Sequence, residues 1–141
     1  MLEKKFLKVC DIVRLQFYRS VFSQVKEREG SLSATEMFSV EIINYLGRPT
    51  IGQFADFINI SLPGATYKVN ALEKKGYIKR VRSEEDRRES YLEMTAKYHD
   101  YANLNNGHLQ DAFARVSERF SEEDLAKAEE ILSVLAGELE K

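Results

Sequence analysis

The chain has 141 residues, 43% of them hydrophobic and 31% charged, with a net charge of −2. This is typical of one globular domain, alone or with an oligomerisation arm. No run of about eighteen apolar residues occurs, so we expect no membrane-spanning helix. The N-terminus lacks the apolar core of a signal peptide, and the single cysteine, Cys10, cannot form an internal disulfide. These features favour a cytoplasmic location.

Residues 2–29 predict one long helix, which Gly30 ends, because no Gly or Pro lies within it. Its apolar residues occupy more than one side of the helix. A helix that is apolar on several sides must be covered on several sides. We therefore expect residues 1–30 to pack both on their own domain and on a partner chain.

Two capping boxes, at residues 33–36 (SATE) and 50–53 (TIGQ), predict the starts of two short helices. A turn then leads to a third helix, which Ser61 caps and Gly76 ends after two lysines. The second and third of these helices, the third of them basic, form a helix-turn-helix.

The segment after Gly76 predicts a β-hairpin, with strands at residues 77–82 and 89–92 around a polar turn at 83–88. A helix followed at once by a charged hairpin is the recognition half of a winged helix. Residues 67–88 hold eight Lys/Arg and four Asp/Glu, a local net charge of +4. Such a basic segment in an acidic protein indicates where a polyanion binds, although a solvated charged face is the alternative interpretation.

Two further helices are predicted at the C-terminus. Thr95 caps the first, over residues 96–120, which has a weak point at Asn106-Gly107, and residues 121–124 open the second. Their apolar stripes are too extensive for solvent, so with the first helix they predict a two-fold dimer interface. The predicted fold is mainly α with a small β-hairpin wing. It is a winged helix-turn-helix (31–95) between an N-terminal dimerisation helix (1–30) and C-terminal dimerisation helices (96–141).

Three motifs occur in order: residues 72–78 (LEKKGYI), 86–88 (DRR), and Leu92 followed by Thr95. With them the chain resembles the MarR family of bacterial winged-helix transcription regulators over roughly residues 33–95. The resemblance implies a homodimer, joined through its terminal helices, with double-stranded DNA as partner. It also implies that Arg88, at the wing tip, enters the minor groove while Asp86 orients it. A narrow minor groove does attract guanidinium groups.

The residues expected to contact DNA lie on the recognition helix and the wing: Ser61, Gly64, Thr66, Tyr67, Lys68, Asn70, Lys74, Arg82, Asp86, Arg87 and Arg88. Thr66 is suited to a thymine methyl group and Asn70 to adenine. The chain departs from the family at Pro63-Gly64, where small hydroxyl residues are usual, and at Tyr67, where a basic residue is common. Local packing of Tyr67 is an alternative to a role in binding DNA.

In the family, a ligand pocket lies between the dimer arm and the winged helix. The candidates for its walls here are Phe17, Phe22, Met37, Tyr45 and Tyr101, which suit an aromatic or acyl effector. Residues 36–38 (EMF) together with 72–78 also resemble the relatives that control fatty-acid synthesis genes. We therefore expect a ligand-responsive repressor on a pseudo-palindromic operator, with half-sites about one helical turn apart.

Other functions have weaker support. Some relatives sense peroxide through a cysteine on the first helix, but Cys10 lies on an apolar stripe, as a structural cysteine would. His99 and His108 are nine residues apart without an i, i+4 partner, so we expect no metal site. No cofactor motif or catalytic motif occurs, so we expect no enzyme. The remaining alternative is a winged-helix protein-interaction module without direct DNA readout.

Overall fold

The computed structural model describes residues 1–24 and 31–141. Within these ranges the chain forms six helices and one antiparallel hairpin. In chain order these are α1 (Leu2–Gln24), α2 (Ala34–Tyr45), α3 (Ile51–Ile58), α4 (Leu62–Lys74), β1 (Ile78–Arg82), β2 (Ser90–Met94), α5 (Ala96–Ser117) and α6 (Glu122–Leu139). The prediction of a mainly helical winged-helix fold is confirmed. The predicted continuation of α1 to Glu29, and its end at Gly30, lie outside the described residues.

Both predicted capping boxes are present. The Ser33 hydroxyl accepts from the Glu36 N–H at 3.3 Å, and the Glu36 carboxylate accepts from the Ser33 N–H at 3.0 Å. Thr50 and Gln53 make the same reciprocal pair at 3.1 and 2.9 Å. Each box satisfies backbone donors that the first turn of a helix leaves free, so the helices α2 and α3 begin where the sequence predicts.

The recognition helix α4 is also delimited as predicted. Ser61 is its N-cap, with its hydroxyl accepting from the Gly64 N–H at 3.1 Å, and Pro63 lies in the first turn. After Lys74 the backbone reaches Gly76 at φ +84°, the left-handed conformation that glycine adopts without strain. The helix therefore stops abruptly at Lys74, and three residues separate it from β1.

The hydrophobic core joins α2, α3 and α4 to the hairpin and the start of α5. Its largest fully buried side chains are Met37, Val40, Ile43, Phe54, Val69, Leu72, Ile78 and Leu92. The helix α1 reaches this core through Val21, and the ring of Phe17 lies 6.1 Å from that of Phe38. The winged helix therefore has a continuous core, and one end of α1 is attached to it.

A polar contact accompanies this core where α2 meets α5. Tyr98 is buried and is hydrogen-bonded to Glu41. Burial, and then the charge and hydrogen bond of Glu41, raise the pKa of Tyr98 to about 12. Burial also raises the pKa of Glu41, against the opposing effect of the Tyr98 hydrogen bond. The tyrosine hydroxyl therefore stays protonated at neutral pH and can donate to the carboxylate.

The hairpin is longer on its second strand than predicted. Its register pairs Ile78 with Met94 and Arg82 with Ser90, so β2 ends at Met94 rather than at Leu92. Lys79 and Glu93 face each other within the added part, with a Nζ–Oε2 distance of 3.6 Å. The prediction was wrong about this boundary because the partner strand sets it, not the local sequence.

The hairpin is also held at its base and along its outer strand. The Thr95 hydroxyl donates to the Gly76 carbonyl at 2.6 Å and lies 3.1 Å from the Tyr77 carbonyl. The Leu92 N–H donates to the Pro49 carbonyl at 2.8 Å. Next to it, an isolated bridge joins Thr50 to Tyr91. The wing is therefore attached to the residues that open α3.

The described chain divides into two compact units, residues 1–105 and 106–141. In the second unit α6 begins at the predicted cap, where the Ser121 hydroxyl accepts from the Asp124 N–H at 3.1 Å. The helix α5 continues through Asn106 and Gly107, and it ends at Ser117, three residues before the predicted end. None of the described helices has both the length and the apolar character needed to cross a bilayer.

Candidate nucleic-acid interface

One side of α4 faces solvent, and the other is part of the core. Ala65, Val69 and Leu72 are fully buried, which follows from their 3–4 spacing. Away from this stripe Tyr67 is 78% exposed, and Leu62, which continues the stripe into the first turn, is still 57% exposed. The alternative that Tyr67 packs locally is therefore wrong. Leu62 was not among the predicted contact residues, and its 3–4 spacing with Ala65 and Val69 gives no sign of its exposure.

The polar groups in the first turns of α4 are partly engaged within the helix. The Thr66 hydroxyl donates to the Leu62 carbonyl at 2.9 Å, so its methyl group is the part left for outside contacts. The Ser61 hydroxyl caps the helix through Gly64. A side chain at Gly64 would place its Cβ 3.1 Å from the Ser61 oxygen, so this position favours glycine.

The cations of residues 67–88 fall into two groups. Four have acidic partners: Lys75 with Glu36, Lys79 with Glu93, Arg80 with Glu73 and Arg88 with Asp86. The other four have no ion pair within the described part of the chain: Lys68, Lys74, Arg82 and Arg87. Because Glu36 and Glu93 lie outside the counted segment, the surface is less positive than its formal +4 suggests.

Lys75 is a structural cation. Its ammonium donates to the Ser31 carbonyl and to the Glu36 carboxylate, each at 2.8 Å, and its side chain is only 28% exposed. Burial alone would raise the pKa of Glu36, but hydrogen bonds from Lys75 and Ser33 outweigh it and lower that pKa below 4.5. The pair therefore ties the end of α4 to the start of α2 and is not available to a ligand.

Arg88, at the wing tip, is an exposed cation, in contrast to Lys75. The Arg88 side chain is 93% exposed, and its Nε lies 3.4 Å from the Asp86 carboxylate. The same carboxylate oxygen accepts from the Arg88 N–H at 3.0 Å, and the Asp86 N–H donates to the Ser83 hydroxyl at 3.2 Å. The turn thus holds Asp86 beside an arginine that projects into solvent. Such a pair restricts the rotamers of a long side chain without burying its charge.

Behind the wing lies an open, polar cavity of about 400 Å³. It is lined by Arg48, Val81, Arg82, Ser83, Glu84, Glu85 and Tyr91. The Arg48 guanidinium lies 5.0 Å above the Tyr91 ring, and its Nε lies 2.7 Å from Glu93. Sequence reasoning missed Arg48 because its partners are more than 40 residues away in the chain.

A second missed residue, Arg80, connects β1 to the recognition helix. Its Nη2 donates to the Asn70 side-chain oxygen, and its Nε lies 3.4 Å from the Glu73 carboxylate. Asn70 and Glu73 are one turn apart on the outer side of α4. Their spacing was readable in the sequence, but the arrival of Arg80 between them depends on the hairpin fold.

The five candidates for an effector pocket differ in environment. Met37 has no exposed surface and Tyr101 is only 7% exposed, whereas Phe22 and Tyr45 are 83% and 67% exposed. Phe17 packs on Phe38. The exposures alone do not test whether these residues share a cavity, so the pocket stays a prediction. In the described ranges, no three His, Cys, Asp or Glu side chains are grouped so that they could hold a metal ion.

Comparison with known proteins identifies the family. The model of the MarR family matches residues 32–90, from the start of α2 to the start of β2. The uncharacterized HTH-type transcriptional regulator YfiV of Bacillus subtilis (strain 168) is 32% identical over 111 residues, which cover 77% of this chain and 68% of YfiV.

Two solved structures cover nearly the whole chain. Streptococcus pneumoniae FabT in complex with DNA is 26% identical with a TM-score of 0.61, covering 99% of this chain and 95% of that one. A MarR family protein from Bacillus stearothermophilus is 19% identical with a TM-score of 0.65, covering 99% and 94%. The helix-turn-helix and the first strand of the wing lie within the part that the family model matches, and the chain belongs to the MarR family of transcriptional regulators, which are not enzymes.

Proposed function

We propose that this chain is a homodimeric repressor that binds a pseudo-palindromic DNA operator and releases it when a small effector binds. The observation that carries the proposal is the pairing of an exposed helix face with an exposed arginine at the tip of the attached wing. Tyr67 lies on the exposed helix face, and Arg88 is the exposed arginine. FabT, which the chain resembles in sequence and fold, has been solved in complex with DNA.

The helix α4 is the element that would enter the major groove, which is wide enough for an α-helix. Leu62, the Thr66 methyl and Tyr67 offer apolar surface suited to thymine methyl groups. Lys68 and Lys74 have no ion pair within the described residues, so they are available to phosphates. Specificity and affinity would thus come from different side chains of one helix.

The wing would extend the contact into the flanking minor groove. Arg88 is nearly fully exposed, and Asp86 limits its conformations before DNA binds. Arg82 and Arg87 add positive charge without ion pairs in the described chain. The negative potential of a narrow minor groove favours a guanidinium held in this way.

Dimerisation is supported by apolar side chains that stay exposed among the described residues. On α1 these include Leu2, Leu7, Val9, Ile12, Leu15 and Phe22, and on α6 they include Ile131, Leu132, Val134 and Leu139. A two-fold axis through such helices would present two copies of α4 to half-sites about 34 Å apart, one helical turn of DNA.

The effector would act by changing the separation of the two recognition helices. It must then bind one separation better than the other, since equal affinity shifts no equilibrium. The exposed aromatic side chains of Phe22 and Tyr45 favour an aromatic or acyl compound. A long-chain acyl thioester and benzoate are suitable probes, and release of bound DNA by either one would support this part of the proposal.

Fluorescence anisotropy tests DNA binding, with duplex from immediately upstream of the gene and a series of salt concentrations. We expect saturable binding, and we expect Arg88→Ala to flatten the log–log salt slope by about 0.9, the loss of one phosphate-region contact. Lys127→Ala, on α6, removes the same charge and should leave the slope unchanged. Absence of binding at low salt, there and on pooled genomic fragments, would contradict the proposal and favour a protein partner.

A further inference from the structure

The hydrogen bond from Arg80 to Asn70 determines which atom Asn70 turns toward solvent. A guanidinium has only donors, so the atom of the Asn70 amide that faces it must be the carbonyl oxygen. Asn70 is otherwise exposed on the outer side of α4. Its NH2 group, a pure donor, is therefore the end that remains unengaged by Arg80.

Arg80 is itself held in place. Its Nε is shielded from solvent and makes no hydrogen bond within the described chain, but it forms an ion pair with the Glu73 carboxylate at 3.4 Å. Its side chain is only 29% exposed. Glu73 and Asn70 lie on the same helix, so Arg80 contacts both ends of one helical turn. A guanidinium engaged on two sides is poorly placed to bind phosphate, unlike Arg88 at the wing tip.

We infer that Arg80 is a positioning residue that makes Asn70 a hydrogen-bond donor toward DNA, so that Asn70 selects against cytosine. This inference rests on the proposed function. In the major groove adenine, guanine and thymine each present an acceptor, whereas cytosine presents the N4 amino group, a donor. A donor held outward can bond to the first three bases and meets a second donor at cytosine.

Freed from Arg80, the amide can rotate. An asparagine amide offers an acceptor when its oxygen faces out, and the cytosine amino group can then donate to it. The position that Asn70 contacts would lose its discrimination, while the other positions of the operator would not change. This pattern separates a positioning role from a phosphate contact, which would weaken binding to all sequences alike.

Selection of binding sites from a random duplex library, followed by sequencing, tests the inference on the full-length protein. The base position that Asn70→Ala alters identifies the contact. We expect the wild type to exclude cytosine there by about fivefold or more, and Arg80→Ala to remove that exclusion. Arg80→Lys, which keeps one donor near the amide, should restore part of it.

Lys79→Ala is the matched control, since it removes the same charge from the adjacent position of β1, and it should leave the base preferences intact. Glu73→Gln is the second variant if Arg80→Ala does not fold, and it should weaken the exclusion of cytosine. Unchanged preferences in the Arg80 or Glu73 variants, or a wild type that accepts cytosine, would overturn the inference alone. A wild type that selects no sequence would overturn the proposed function with it.

Discussion

Residues 32–101 and residues 106–141 use the same pattern of apolar spacing with different results. The largest fully buried side chains all lie in the first region, between residues 37 and 92. The helix α6 in the second region has a comparable apolar stripe, yet it contains no buried residue, and Leu132 is 44% exposed. A 3–4 spacing therefore predicts that a helix has an apolar side, but not whether its own chain covers that side.

The strongest test of this difference is a pair of phenylalanines on one helix. Phe54 is fully buried and Phe57 is 55% exposed. Phe54→Ala should lower the free energy of unfolding by about 3–5 kcal/mol, because it leaves a cavity in the core. Phe57→Ala should cost less than about 1 kcal/mol. Urea unfolding followed by circular dichroism, at fixed protein concentration, measures both values, and equal losses would contradict the assigned core.

The next largest effect concerns the exposed apolar stripe of α6. Leu132→Glu places a charge where we propose that a second chain packs, so the dimer should weaken by about 2 kcal/mol, or about thirtyfold in dissociation constant. Sedimentation equilibrium over a dilution series measures this change. Ser133→Glu adds the same charge at the next position and serves as the control. A wild type that remains monomeric at all concentrations would refute the dimer.

Helix caps should contribute equally to the free energy of unfolding in both regions, because they act locally. The Ser61 and Ser121 hydroxyls each accept from a first-turn N–H at 3.1 Å. We expect Ser61→Ala and Ser121→Ala to cost about 1 kcal/mol each in thermal unfolding. Ser133→Ala, in the middle of α6, should cost nothing, because alanine favours helix interiors. A cap substitution without effect would show that its helix end frays in the native state.

The smallest expected effect is a pH dependence confined to the first region. Because the folded-state pKa of Glu36 lies below 4.5, its ionised form stabilises the fold above that pH, and the contribution is lost as the pH falls through the folded pKa. Glu36→Gln should therefore lower the free energy of unfolding by roughly 0.5–1 kcal/mol at neutral pH. The difference between wild type and variant should shrink in acid.

Chemical denaturation at several pH values gives this difference directly. Glu84→Gln changes an exposed carboxylate with no ion pair in the described chain, so it should show no such trend. A constant difference between wild type and Glu36→Gln across the pH range would mean that the carboxylate charge does not contribute to folding.

Local signals in the sequence predicted the helix starts and the fold correctly. The capping boxes, Ser61 and Gly76 act through bonds spanning a few residues, so the amino-acid order is enough to locate them. The charged hairpin after a short basic helix was likewise sufficient to predict the winged-helix class. The end of β2 was misplaced because strand pairing across the hairpin decides it.

For the candidate site, the exposure of two key residues agrees with the sequence prediction, whereas several contacts between side chains could not be predicted. Tyr67 and Arg88 were expected to face a partner, and both are exposed. Lys75, counted with the basic segment, is instead engaged by Glu36, which lies 39 residues earlier in the chain. The contact of Arg80 with Asn70 also joins two separate elements. Only the folded chain brings such partners together, so composition cannot reveal them.

The bonds from Leu92 to Pro49 and from Thr95 to Gly76 fix the wing at two points relative to the helices beside it. These bonds limit changes in the angle between α4 and the wing within one monomer. In the proposed complex they would likewise limit changes in the distance between the major-groove bases and the minor-groove step of one half-site. In the proposed complex, an operator could therefore change in base identity, while a base pair inserted between the two contacts would weaken binding.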